Sequence, residues 1–186
     1  MKDAKQKVWN YFSNAKGSPF EDISLMDMAT GYPEAIGLRD TPEGKAHSKY
    51  YMETIPQIIR QQDPSLTKKV DRGLFDVIAN YMGGYDAAQQ FQGKTDDLER
   101  LAKLYQFTDY AKRRNDSSND YIENMAGVSA YTPGSERLGD QALYEQARKY
   151  AEERINSGEM QDYSEANTPF SAYVLGTIKE AMRRLN

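Results

Sequence analysis

Four prolines constrain this chain more than any other feature. Pro19, Pro42, Pro64 and Pro169 each stand directly after a residue able to cap a helix: Ser18, Thr41, Asp63 and Thr168. Proline lacks the backbone N–H that a first helical position cannot pair anyway, and its ring holds φ near the helical value. A cap followed by proline therefore marks a helix start. Glycines 17, 31, 83–84, 93 and 158 stand where the following apolar patterns stop, as glycine commonly does at helix C-termini.

Between these signals the apolar residues recur at three-and-four spacing. Ala4, Val8, Tyr11, Phe12 and Ala15 give one face, and Phe20, Ile23 and Met26 a second. Leu66, Val70, Leu74, Val77, Ile78 and Tyr81 form the cleanest stripe, predicting a helix that begins at Asp63-Pro64 and ends at Gly83-Gly84. A short helix over 86–92 is predicted after it, then one from 95 to 114 and two turns over 120–126. Leu143, Ala147, Tyr150, Ala151 and Ile155 predict a helix over 140–157, and Phe170, Val174, Ile178, Met182 and Leu185 a last one. No alternating β-branched run and no internal repeat is present. The expected fold is all-α: a single helical domain over 1–186, an irregular multi-helix bundle of about seven to nine helices with no significant sheet.

Residues 40–62 carry the densest chemistry. Asp40 or Thr41 can cap, Pro42 suits the first position, and Glu43 sits where the helix dipole favours an anion. His47, the only histidine, lies four residues after Glu43, within reach on one helical face. Tyr51, Ile55, Ile58 and Ile59 continue the stripe. Pro56 removes a backbone donor and clashes one turn back, which predicts a kink or break near 54–56.

Composition narrows the partners. Charged residues make up 28% with a net charge of −4, giving no global attraction to nucleic acid or anionic lipid. Absence of cysteine excludes disulfides, thiolate metal sites and a cysteine nucleophile. The first residues have no apolar segment of the kind a secretory signal carries, and no stretch is long enough to span a bilayer, so the expected location is cytoplasmic. Apolar content is 39% and mean hydropathy −0.83, yet there are 14 tyrosines. Rings that a modest core cannot bury are expected at a partner surface. The weakly patterned segments 32–39 and 127–139 are the expected places, with Tyr32, Ile36, Leu38, Tyr131 and Leu138 as partner-binding candidates.

Each chemical motif has a plainer alternative. Glu43 with His47, or Asp40 with His47, could serve general acid–base catalysis; an exposed pair in a first helical turn explains the same spacing. The run 116–120 resembles a calcium loop, but Tyr121 stands at the required glycine and Gly127 at the required glutamate. Residues 82–86 are glycine-rich, without the strand or lysine of a phosphate loop. Lys68, Lys69 and Arg72, with Lys112, Arg113 and Arg114, could form a basic patch, or simply a solvated surface. No metal and no cofactor is expected.

These considerations rank three functions. First is a non-enzymatic helical protein acting through protein partners or self-association: an assembly, adaptor or accessory subunit. Its cysteine-free, Tyr-, Gln- and Asn-rich texture is common in phage and mobile-element proteins, so a virion role is among the expectations. Second is a small hydrolase using His47 with a carboxylate. Third, and least expected, is a nucleic-acid-binding module using the basic clusters.

Overall fold

Thr41 makes a start signal explicit. In a computed structural model that describes residues 37–38, 40–92 and 117–158, its hydroxyl accepts from the Gly44 backbone N–H at 3.1 Å. Pro42 takes the first position of α1, Pro42–Lys49. A π-helical turn, Tyr50–Thr54, follows and leads directly into α2, Ile55–Gln62. The chain thus stays helical through Pro56: of the kink or break predicted near 54–56 no break is seen, and the irregularity is the π turn just before the proline. A proline ring clashes with the carbonyl four residues back. Here the Ile55 N–H bonds the Tyr50 carbonyl five residues back, and that wider turn makes room just ahead of the ring. Ile55, Ile58 and Ile59 are buried as the stripe requires.

The next helix begins later than predicted. Asp63 does cap, accepting at Oδ1 from the backbone N–H groups of Ser65 and Leu66, but it closes only a turn. A second turn over 67–70 follows. Asp71 is the effective cap, accepting from Leu74 N–H at 2.9 Å, and α3 runs Arg72–Gln90. Leu66 is buried, Leu74 is half-buried and Val70 is 75% exposed. Gly83-Gly84 does not end this helix. Both lie in its interior, and residues 86–90 of the predicted short helix over 86–92 are its continuation.

Helix α4, Ser117–Ala130, is also longer than the two turns expected, and Gly127 lies inside it. The reason for both interior glycine sites is a crossing of α3 and α4 at backbone contact. A Cβ on Gly84 would run into the Asn124 carbonyl oxygen, and one on Gly127 into the Tyr81 carbonyl oxygen. Only glycine permits this approach. The last described helix, α5, spans Asp140–Ser157 and stops at Gly158, whose φ of 70° is left-handed, both as predicted.

The described residues are all-helical, with no strand among them. Nearly all belong to one compact unit, Gly37–Glu99 with Asn119–Gln161. The expected helices before residue 37, over 95–114 and after 158 lie outside the described residues, and with them the expected total count and the single-domain expectation. Inside the unit, α3 packs against α5, α1 and α2. Its core joins Ile55, Ile59, Val77, Ile78, Met82, Leu143, Ala147 and Ala151, all nearly or wholly inaccessible. Ile155, predicted inward, is 39% exposed, and Tyr144 is buried on α5 instead.

Candidate functional site

Helix α1 and the π turn that continues it form a first rod, which meets α3 at two rungs. His47 on α1 places Nδ1 at 2.8 Å from Oδ2 of Asp86 on α3. One turn further along the rod, the Tyr51 hydroxyl donates to Asn80 Oδ1 at 2.6 Å. The Tyr51 ring lies against Gly83, where a Cβ would come within 2.6 Å of its Cδ2. Residue numbers rise along the rod as they fall along α3, so the two run antiparallel.

The His47–Asp86 pair is asymmetric. Asp86 is 2% exposed and His47 28%. A buried carboxylate needs a donor, and the imidazole supplies Nδ1–H. Holding the proton there leaves Nε2 as the basic nitrogen. A pairing of this kind fixes both tautomer and ring orientation, which general acid–base chemistry requires. Glu43, the partner expected from sequence, is exposed, and the histidine's carboxylate is Asp86, 39 residues away in the chain. Asp40 is exposed as well.

Behind this pair runs a buried polar network. Asn80 is fully used: Oδ1 accepts from Tyr51, while Nδ2 donates to Asp120 Oδ1 at 2.9 Å and to Glu123 Oε2 at 2.8 Å. Glu123 lies 3.6 Å, through Oε1, from Nε of the buried Arg154 on α5. Arg154 also donates through Nη2 to Asn119 Oδ1 at 3.1 Å. Burial pushes the Glu123 carboxyl up to about 7, and Asp120 adds to the rise, while Asn80 and Arg154 oppose it. Burial likewise raises the Tyr51 hydroxyl, reinforced by Asp120, Asp76 and Glu123.

Sequence reasoning missed Asp86, Asn80 and Glu123. From sequence, Asp86 falls at the start of a separate short helix after Gly83-Gly84, and polar residues on a helix are ordinarily assigned to solvent. The available signal was the run Ala87-Ala88-Gln89-Gln90, which carries good helix formers past the two glycines.

The remaining candidates separate. Tyr131, expected at a partner surface, is 6% exposed and meets Tyr85 edge-on at 5.4 Å between centroids. Its ring fills core left by the α3–α4 crossing. Leu138 is half-buried against the same core, and its N–H donates to Tyr85 Oη at 3.1 Å. Leu38 is half-buried, and Tyr32 and Ile36 lie outside the described residues. The 82–86 run is buried mid-helix rather than a phosphate turn, and the calcium-like run enters α4. Lys68 and Arg72 both pair with Asp76, at 3.2 and 3.1 Å, while Lys112, Arg113 and Arg114 lie outside the described residues. Among the described residues, no group of three or more His, Cys, Asp or Glu gathers to hold a metal ion, and no helix is long and apolar enough to cross a membrane.

Comparison with known proteins adds no relative: a scan of protein-family models, a search of curated proteins and a search of solved structures each returned no match.

Proposed function

We propose that this chain is a small helical enzyme in which His47, oriented by Asp86, acts as a general acid–base in a hydrolytic reaction. The single observation that carries this is the 2.8 Å contact between a part-exposed imidazole and an almost wholly buried carboxylate. Asp86 holds the Nδ1 proton, and Nε2 takes a proton from water as the water oxygen attacks the electrophilic centre. The same nitrogen then returns that proton to the leaving group, so the site ends as it began. Asp86 never needs to be protonated; it stabilises the imidazolium that forms between the two steps.

Two supports converge on the same rungs. The π turn beginning one residue after α1 is a device frequent at functional sites. The Tyr51–Gly83 contact lies beside His47, with the two rings 6.3 Å apart.

The test uses a panel of chromogenic esters, phosphoesters and glycosides. His47→Ala is expected to lower the turnover of any substrate hydrolysed by 10²- to 10⁴-fold, with Asp86→Asn intermediate and Glu43→Gln unchanged. Folded His47→Ala protein that turns over substrate at the normal rate would overturn the assignment.

A second reading keeps the protein-contact role. It is favoured by two large apolar side chains left in solvent, Met52 at 69% and Val70 at 75% exposure. Met52→Ser and Val70→Ser should then weaken self-association, measured as mass in solution, while leaving hydrolysis untouched.

A further inference from the structure

We infer that the Glu123–Arg154 contact is a proton-operated latch on the seam between α4 and α5. The inference is independent of the acid–base reading of His47, because it concerns a different carboxylate on a different pair of helices.

The argument begins with hydrogen-bond accounting. Glu123 and Arg154 are both buried, and their facing atoms, Oε1 and Nε, are each without a hydrogen-bond partner. At 3.6 Å they attract as charges but do not form a hydrogen bond. The outer ends of both side chains are tied elsewhere. Glu123 Oε2 accepts from Asn80 on α3, and Arg154 Nη2 donates to Asn119 on α4. The one adjustable contact is therefore the gap between Oε1 and Nε.

Protonation gives that gap two arrangements. With Glu123 ionised, Arg154 Nε–H can move in and donate directly to Oε1. With Glu123 neutral, the proton sits on Oε1, since Oε2 is occupied as an acceptor. Two donors then face one another, and Arg154 keeps only its bond to Asn119. Proton binding on α4 is thus read as a displacement on α5.

The groups facing Glu123 set where this happens. Asn80 on α3 is a neutral donor and favours the ionised form. Asp120 on α4 opposes it by like charge, and Arg154 on α5 supports it. Tyr51, on the π turn, shares Asn80 and interacts with the Glu123 charge. Desolvation outweighs the supporting groups and raises the carboxyl from 4.5 to about 7.

The sign follows from linkage. A carboxyl whose folded value is raised contributes most below its ordinary value of 4.5, and that contribution is lost as pH climbs towards 7. The full-length chain and Glu123→Gln would be unfolded with denaturant across pH 4.5 to 8. The wild-type folding constant should fall, relative to the glutamine variant, on the order of a hundred-fold over that window. Parallel profiles would overturn the inference. Should Glu123→Gln fail to fold, the side-chain carboxyl carbon of Glu123 in the wild type decides by NMR titration. A midpoint near 7 supports the latch, and one near the ordinary glutamate value overturns it. The Arg154 Nε signal should move with the same midpoint; an Nε signal that stays still through the Glu123 titration sinks the mechanical half of the claim.

Discussion

Helix α3 packs through two interleaved sets of residues, one apolar and one polar, that obey different rules. Phe75, Val77, Ile78 and Met82 enter an apolar core shared with α2 and α5. Asn80, Gly83, Gly84 and Asp86 meet the first rod and α4. Apolar burial gives graded effects, because each methylene removed from water contributes about 0.8 kcal/mol and a truncation adds a cavity term that grows with the space left behind. The polar set tolerates very little. Each buried donor or acceptor left unpaired costs roughly 1–3 kcal/mol, and backbones in contact leave no slack to relax.

That contrast predicts where one added methyl does most damage. Gly84→Ala pushes a Cβ into backbone atoms of Asn124, with the carbonyl carbon at 2.7 Å. Neither helix has a side chain there that could swing aside. The expected cost exceeds about 4 kcal/mol, a large fraction of the roughly 5–15 kcal/mol that holds an ordinary domain folded. Gly73→Ala, whose Cβ would meet only Asp71 Oδ1 at 3.7 Å, is the control on the same helix, expected to be neutral or mildly stabilising. Chemical denaturation of both variants checks the pair, and equal stability would mean the crossing is looser than described.

In the apolar set the expected effects are smaller and graded. Ile78 has no exposure, so Ile78→Ala should cost about 2–5 kcal/mol. Leu74, half-buried one turn earlier, should cost about 1–2 kcal/mol, because part of its surface is already wet. Finding Leu74→Ala the more damaging would reverse the assignment of inner and outer positions along α3.

The same contrast explains what was legible in the sequence. The bounds of α5 are readable because its pattern is local, with Leu143, Ala147 and Ala151 at helical spacing and Gly158 as the stop, although its inward face takes Tyr144 rather than Ile155. Thr41-Pro42 was readable for the same reason. The π turn was half-legible: Pro56 announced a disturbance, and only the Ile55 bond to Tyr50 shows that a wider turn absorbs it. The polar set was illegible because its logic is non-local. Nothing near Asp86 indicates His47, and nothing near Asn80 indicates Glu123, 43 residues on. Gly83-Gly84 looks like a stop until Gly127 is known to lie across from it. The expectation for Tyr131 rests on a bulk argument about ring count, yet Tyr131 is core together with Tyr85 and Tyr144. The large ring is buried, and while the Tyr85 and Tyr144 hydroxyls accept from Leu138 and Arg148, the Tyr131 hydroxyl is buried without a hydrogen-bond partner.

The smallest expected effect sharpens the comparison with a carboxylate of opposite sign. Asp63, at the end of α2, accepts from Ser65 and from Arg148 of α5, the latter at 2.8 Å. The Ser65 hydroxyl, more than the Arg148 guanidinium, holds its carboxyl below the ordinary value of 3.8. Because the folded value is depressed, Asp63 contributes stability above pH 3.8 that is lost as pH falls through and below it. Glu123, raised by burial, loses its contribution in the other direction and in a higher window. The two therefore separate on one pH axis. Asp63→Asn should flatten only the acid limb of the stability profile below about pH 4 and leave the region from pH 5 to 8 unchanged. The effect should be slight and should shrink in salt, since exposed ion pairs contribute little. An Asp63→Asn profile that changes between pH 5 and 8 would show that the surface tie to α5 and the buried Glu123–Arg154 contact are coupled rather than independent.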